Sequence, residues 1–213
     1  VISRASKLIG GAAALALIAA CSSGADADRD PSVDPIPVAT NKPETGGNDI
    51  QTEETPEVTD TGDVQGELGE PIGLAGGGDE AIFTLTVNSI EHADTCPSRI
   101  DPVDVEPEGE DFLVFDISAE MSEDYSEYLD DGEEPFLTIA PDAFYLTDLN
   151  GVIQADVITV ASYECFALED QPAPFINPGE TASGLIALDT SLDHGYLVYN
   201  PWGVDGSGWT WEF

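Results

Sequence analysis

Positive charge is scarce in this chain. Of 213 residues, five are Lys or Arg and 43 are Asp or Glu, for a net charge of −38. Arg4 and Lys7 precede every acidic residue, and the remaining cations are Arg29, Lys42 and Arg99. Nucleic acid and anionic lipid headgroups both need a basic patch, so neither is an expected partner. Self-repulsion at this charge opposes compaction, and salt or divalent cations should stabilise the fold. The acidity reads either as the habit of a host, such as one from a saline habitat, whose exported proteins are all acidic, or as a means of recruiting cations or a basic partner.

Histidine is nearly absent too. His92 and His194 are the only two, and no HxH, HExxH or CxxC spacing accompanies them. Zinc needs at least a third ligand, so both read as ordinary loop residues. A GxSxG elbow is missing as well, and Gly206-Ser207-Gly208 reads as a turn. Paired carboxylates for glycoside cleavage cannot be singled out among so many acids.

Long hydrophobic runs are missing except at the start. Arg4 and Lys7 lead into the uncharged run Leu8 to Ala20. As a helix it would span about 20 Å, against a hydrocarbon core of about 30 Å. A positive flank, a short apolar run and small residues at its exit are the parts of a secretory signal peptide. Ile18-Ala19-Ala20-Cys21 resembles a bacterial lipobox, in which the cysteine sulfur is lipidated and the chain is cut before it. Residues 1–20 are therefore expected to be a lipoprotein signal peptide, with Cys21 the lipidated residue and the membrane reached through its acyl chains. The chain opens on Val1, which reads as an alternative start codon or a trimmed end.

Cysteine is sparse enough to count. With Cys21 assigned to lipid, Cys96 and Cys165 remain, an even pair for an oxidising compartment. A bridge between them would close a loop of about 70 residues and contribute about 4 kcal/mol in the loop-entropy description. Two free thiols are the alternative.

Residues 21–68 are rich in Pro, Thr, Asp, Glu and Gly and lack helical or strand periodicity. Such a segment cannot bury enough apolar surface to offset chain entropy, and it reads as a disordered acidic tether. About 47 residues of flexible chain span about 35–40 Å. From residue 69 onward the pattern changes to short runs of alternating apolar residues. Phe83, Leu85 and Val87 share one face, as do Leu113, Phe115, Ile117 and Ala119, and the chain closes on Trp209-Thr210-Trp211-Glu212-Phe213. Short alternating strands between Gly, Pro, Asp and Asn clusters predict an all-β antiparallel sandwich over residues 69–213. Ser122 is placed to cap one or two helical turns ended by Gly132.

The order of motifs in this head resembles a family of domains of unknown function on Gram-positive, especially actinobacterial, surface lipoproteins. These domains are of the immunoglobulin-like, immunoprotective-extracellular-antigen-like type. Gly109-Glu110-Asp111 before FLVFDIS resembles the family's glycine turn leading into its "hydrophobic-V-hydrophobic-D" strand. Phe144 to Gly151 resembles its aromatic strand and D-x-x-G turn. Pro178-Gly179-Glu180 followed by Gly184 and LIALD resembles its Pro-Gly turn and buried strand, and Gly208-Trp209-Thr210-Trp211 its closing strand. Cys96 and Cys165 sit where actinobacterial members often carry a cysteine pair. The resemblance implies an immunoglobulin-like sandwich and a surface location, and it supplies no catalytic residues. The acidic insert after Glu120 departs from the shorter members.

That insert is the densest cluster of oxygen donors, and Asp130, Asp131, Glu133 and Glu134 are its candidates for calcium. Their spacing does not follow the EF-hand pattern, and a solvated loop is the simpler reading. Asp148-Leu149-Asn150-Gly151, with Asp156 beyond, reads as a hairpin turn rather than a calcium loop. Trp202 is either a contact point or a cap on the sandwich. The expectation is a lipid-anchored, non-enzymatic surface module with no cofactor, binding an envelope protein or polymer. A cation-binding or cation-stabilised surface protein is the alternative, and an envelope hydrolase the third reading.

Overall fold

The structure, a computed structural model, describes residues 35–36, 63–77, 80–130, 132–203 and 208–213. They belong to one compact unit, residues 31–213. Strands in chain order are β1 (Pro35–Ile36), β2 (Val64–Gln65), β3 (Ile72–Ala75), β4 (Ala81–Ala93) and β5 (Asp111–Met121). They continue with β6 (Leu137–Thr138), β7 (Phe144–Thr147), β8 (Phe175–Ile176), β9 (Thr181–Thr190), β10 (Tyr196–Tyr199) and β11 (Trp209–Glu212).

Two sheets pack face to face in the antiparallel sandwich that the alternation predicted. One has the order β1-β3-β4-β5-β9 and the other β2-β11-β10-β7, while β6 and β8 form a separate ribbon. All pairs are antiparallel except β2 with β11. Phe83, Leu85, Val87, Leu113, Phe115, Ile117 and Ala119 are all buried, as their spacing requires. Aromatic rings join the sheets: Phe115 lies 5.0 Å from Phe144 and Phe83 lies 6.3 Å from Tyr199, centroid to centroid. Tyr199 stacks on Trp209 of the neighbouring strand at 5.7 Å, and its hydroxyl donates to the Thr138 carbonyl at 2.9 Å.

A bulge between Val87 and Ser89 shifts the pairing of β4 with β5. Beyond it the side-chain parity reverses, so Ile90 and His92 lie opposite Phe115 and Leu113. His92 thereby ends a core-facing row, its ring 5.8 Å from Phe213.

The sheets reach into the segment expected to be tether. Pro35–Ile36 pairs with β3, and Val64–Gln65 pairs with β11, so the fold takes in residues ahead of 69. Val64 is buried, and Asp63 accepts the Gly208 N–H at 3.0 Å. A two-residue strand is too short to show as alternation, which is why the sequence pattern missed it. Residues 21–34 and 37–62 of the expected tether, with Cys21 among them, and the signal peptide lie outside the described residues.

The local devices follow their chemistry. Ser122 caps a 3-10 helix over Glu123–Tyr128 and accepts the Asp124 N–H at 3.2 Å. Asn177-Pro178-Gly179-Glu180 forms a tight turn, with Gly179 at φ +79° and the Glu180 N–H on the Asn177 carbonyl at 3.0 Å. At Asp148 the turn differs from a two-residue Asn-Gly hairpin. Only Gly151 has positive φ, at +78°, and Asp148 pairs with Val152 around a three-residue loop. The Asp148 carboxylate decides this by accepting the N–H groups of Asn150 and Val152, each at 2.8 Å. The Val152 N–H and the Asn150 amide hold its pKa below the usual carboxylate value.

Candidate functional site

The site grows out of β9. Its run Leu185-Ile186-Ala187-Leu188 is apolar on both faces. Ile186 and Leu188 enter the sandwich core, while Leu185 and Ala187 pack with Phe112 and Val114 on the outer face of the sheet. That outer face is covered by a short helix, α1 (Val160–Glu164), and by the loop that follows it.

Helix α1 starts at a capping box. Thr159 Oγ1 accepts the Ser162 N–H at 3.0 Å, and Ser162 Oγ accepts the Thr159 N–H at 2.9 Å. Its start is tied to the sheet because Thr159 Oγ1 donates to Asp189 Oδ2 at 2.8 Å. Its end is tied by the Cys96–Cys165 disulfide, whose Cα atoms are 5.4 Å apart and whose cysteines are separated by 69 residues. Both cysteines are buried in the outer-face cluster. Around the bridge the two segments zip together. The Phe166 N–H donates to the Pro97 carbonyl at 2.8 Å and the Arg99 N–H to the Glu164 carbonyl at 2.9 Å.

Phe166 adopts φ +63°, a conformation that costs a bulky side chain energy. Three neighbours hold it there: the disulfide one residue before, the Pro97 carbonyl, and Gln171. Gln171 Nε2 donates to the carbonyls of Cys165 and Phe166 at 2.8 and 3.0 Å. Beside this braced turn opens a cavity of about 570 Å³ with a mainly apolar lining, including Phe166, Leu168, Pro172 and Leu185. Arg99 also lines it. In a chain with 43 carboxylates, none stands within 4.0 Å of the Arg99 guanidinium among the described residues.

The residues singled out from sequence are scattered. Asp131 lies outside the described residues, and Asp130, Glu133 and Glu134 are exposed. A Glu133 carboxylate oxygen accepts the Asp130 N–H at 3.0 Å. Among the described residues, no three His, Cys, Asp or Glu side chains gather to hold a metal ion. His92 Nδ1 stands 3.5 Å from Asp111 Oδ2, and His194 is exposed in its turn; neither lines the cavity. The Trp202 ring lies 5.7 Å from Trp209, and the residue stays 41% exposed.

Sequence reasoning noticed Arg99 as an isolated cation but not its place beside an apolar cavity. It overlooked Asp189 altogether. This buried carboxylate accepts the Glu108 N–H at 2.9 Å, the Gly109 N–H and the Thr159 hydroxyl, joining three segments. The available signal was an Asp ending an otherwise apolar strand, where a solvated polar residue is the default.

No family model and no curated protein matches the chain. Among solved structures it is similar to MPT63, a secreted protein from Mycobacterium tuberculosis. The identity is 14% over 71% of this chain and 98% of that one, with a TM-score of 0.45. It is also similar to the yjhA protein from Bacillus subtilis, at 16% identity over 68% of this chain and 97% of that one, with a TM-score of 0.39. Both likenesses are of fold.

Proposed function

We propose that this is an exported, lipid-anchored surface protein whose sandwich head is a non-enzymatic binding module at the cell envelope. The observation that carries the reading is the buried Cys96–Cys165 bridge, which belongs to an oxidising compartment. The sequence before the head supports the same compartment. A charged start, a short apolar run and the lipobox-like Ile18 to Cys21 route the chain outward and give it an attachment point. Among the described residues no helix is long and apolar enough to cross a membrane, and the lipobox-like run is the reason attachment is assigned to lipid on Cys21. The tether expected over residues 21–68 would hold the head away from the bilayer, and the disulfide-braced cavity gives it a concave surface to present.

Metabolic labelling with a tagged fatty acid in a Gram-positive host tests the reading. The full chain should take up label and stay with the membrane fraction. Cys21→Ala should lose both, and label surviving in Cys21→Ala would overturn the anchoring.

A further inference from the structure

We infer that the cavity beside the disulfide binds a small amphipathic monoanion, an apolar body carrying one carboxylate. This deepens the binding reading above by naming the ligand class. Three observations converge on it. The volume, about 570 Å³, falls in the range of small-molecule sites rather than of extended macromolecular grooves. The walls are apolar and rest on the sheet: Leu185 belongs to β9, and Phe166 is held in its φ +63° conformation by the bridge and Gln171. A braced wall loses little entropy when a ligand enters.

The third observation is the charge. Arg99 is the only Lys or Arg after residue 42, it is exposed, and among the described residues no carboxylate lies within 4.0 Å of it. A guanidinium in so acidic a chain has many carboxylates to choose from, yet among the described residues none is paired with this one. Its planar fork suits a carboxylate with two parallel hydrogen bonds. The apolar lining supplies the attraction for the body, and the isolated cation selects a single anionic head. A dianion or polyanion would meet the repulsion of the surrounding acids, and a cation would leave the guanidinium facing like charge.

Isothermal titration of the full chain with dodecanoate, dodecanol and dodecyltrimethylammonium tests this. Dodecanoate should bind one to one, and more tightly than either analogue of equal length. Arg99→Ala should weaken dodecanoate about tenfold or more and leave dodecanol unchanged. Arg99→Lys should recover part of the loss. Arg99 is exposed and its fixed contact is through its backbone N–H, so the fold is expected to survive, and near-ultraviolet circular dichroism checks that. No saturable binding, equal affinity for the alcohol, or an unaffected Arg99→Ala would overturn the inference. These results are independent of lipid labelling at Cys21, so anchoring and ligand class fail separately.

Discussion

The hydroxyl of Thr159 donates to the buried carboxylate of Asp189 at 2.8 Å, joining the start of α1 to the end of β9. The same carboxylate holds the N–H groups of Glu108 and Gly109 ahead of β5. One side chain therefore fixes the loop entering the central strand and the helix flooring the cavity. Asp189→Ala leaves two backbone donors and a hydroxyl unpaired, and should cost about 3 kcal/mol in urea unfolding. Thr159→Ala removes one of these contacts and the helix cap, and should cost about 1 kcal/mol. In the double variant the losses should fall short of their sum, since both act on one network. Strict additivity would mean that Asp189 stabilises the fold by another route.

The disulfide has a comparable part on the other side of α1. Replacing both cysteines (Cys96→Ser with Cys165→Ser) releases a constraint across 69 residues and should cost about 2–5 kcal/mol. Thiol counting on the unreduced chain should find no reactive sulfhydryl at either position. Because Phe166 follows Cys165 directly, the double variant should also expose the 160–172 segment to protease before the sheets unfold. Even loss of protection across the whole head would refute this local role.

Much of the sandwich could be read from the chain because a half-buried strand writes its own period. Phe83-Leu85-Val87 and Leu113-Phe115-Ile117 alternate for that reason, and the glycine and proline turns mark where pairing reverses. The bridge was legible by counting, once Cys21 was set aside. What stayed hidden depended on tertiary partners. Asp189 looks like any acidic residue at a strand end, and only the folded chain brings Gly109 and Thr159 to it. The continuous run Leu185 to Leu188 did say that both faces of β9 are covered, but not by what. Arg99 was visible as an isolated charge, whereas its lack of a carboxylate partner among the described residues is a property of distances. The two-residue strand β2 carries no period at all.

Gly73 offers a sharp test of strand packing. A Cβ there would stand 1.9 Å from the Phe83 carbonyl oxygen and 2.9 Å from the Thr84 Cα, both backbone atoms of the paired strand. Neither can turn aside as a side chain would. Gly73→Ala should therefore force β3 away from β4 and cost about 3 kcal/mol in thermal or urea unfolding. Among the described residues nothing lies within 4 Å of a Cβ at Gly77, so Gly77→Ala should change stability by no more than about 0.5 kcal/mol. Similar costs at both positions would show that the β3–β4 approach is looser than described.

Alkali should unfold the head through two tyrosines. Burial pushes the Tyr125 phenol up to about 12, helped by the negative charge of Glu133. Burial also raises Tyr199 well above the usual phenol value, with the charge of Tyr125 adding to it. Both phenols are neutral in the folded state at a pH where the unfolded chain, with pKa about 10, already ionises. Their contribution to stability is fully present below pH 10 and is lost as pH rises through the folded values. Phenolate absorbance should therefore show a fraction that appears only together with loss of tertiary circular dichroism. Tyr125→Phe removes one of the two groups that must ionise, so it should move the alkaline unfolding midpoint upward and shrink that late fraction. Ionisation of both phenols with the fold intact would place them in contact with solvent and overturn the burial argument.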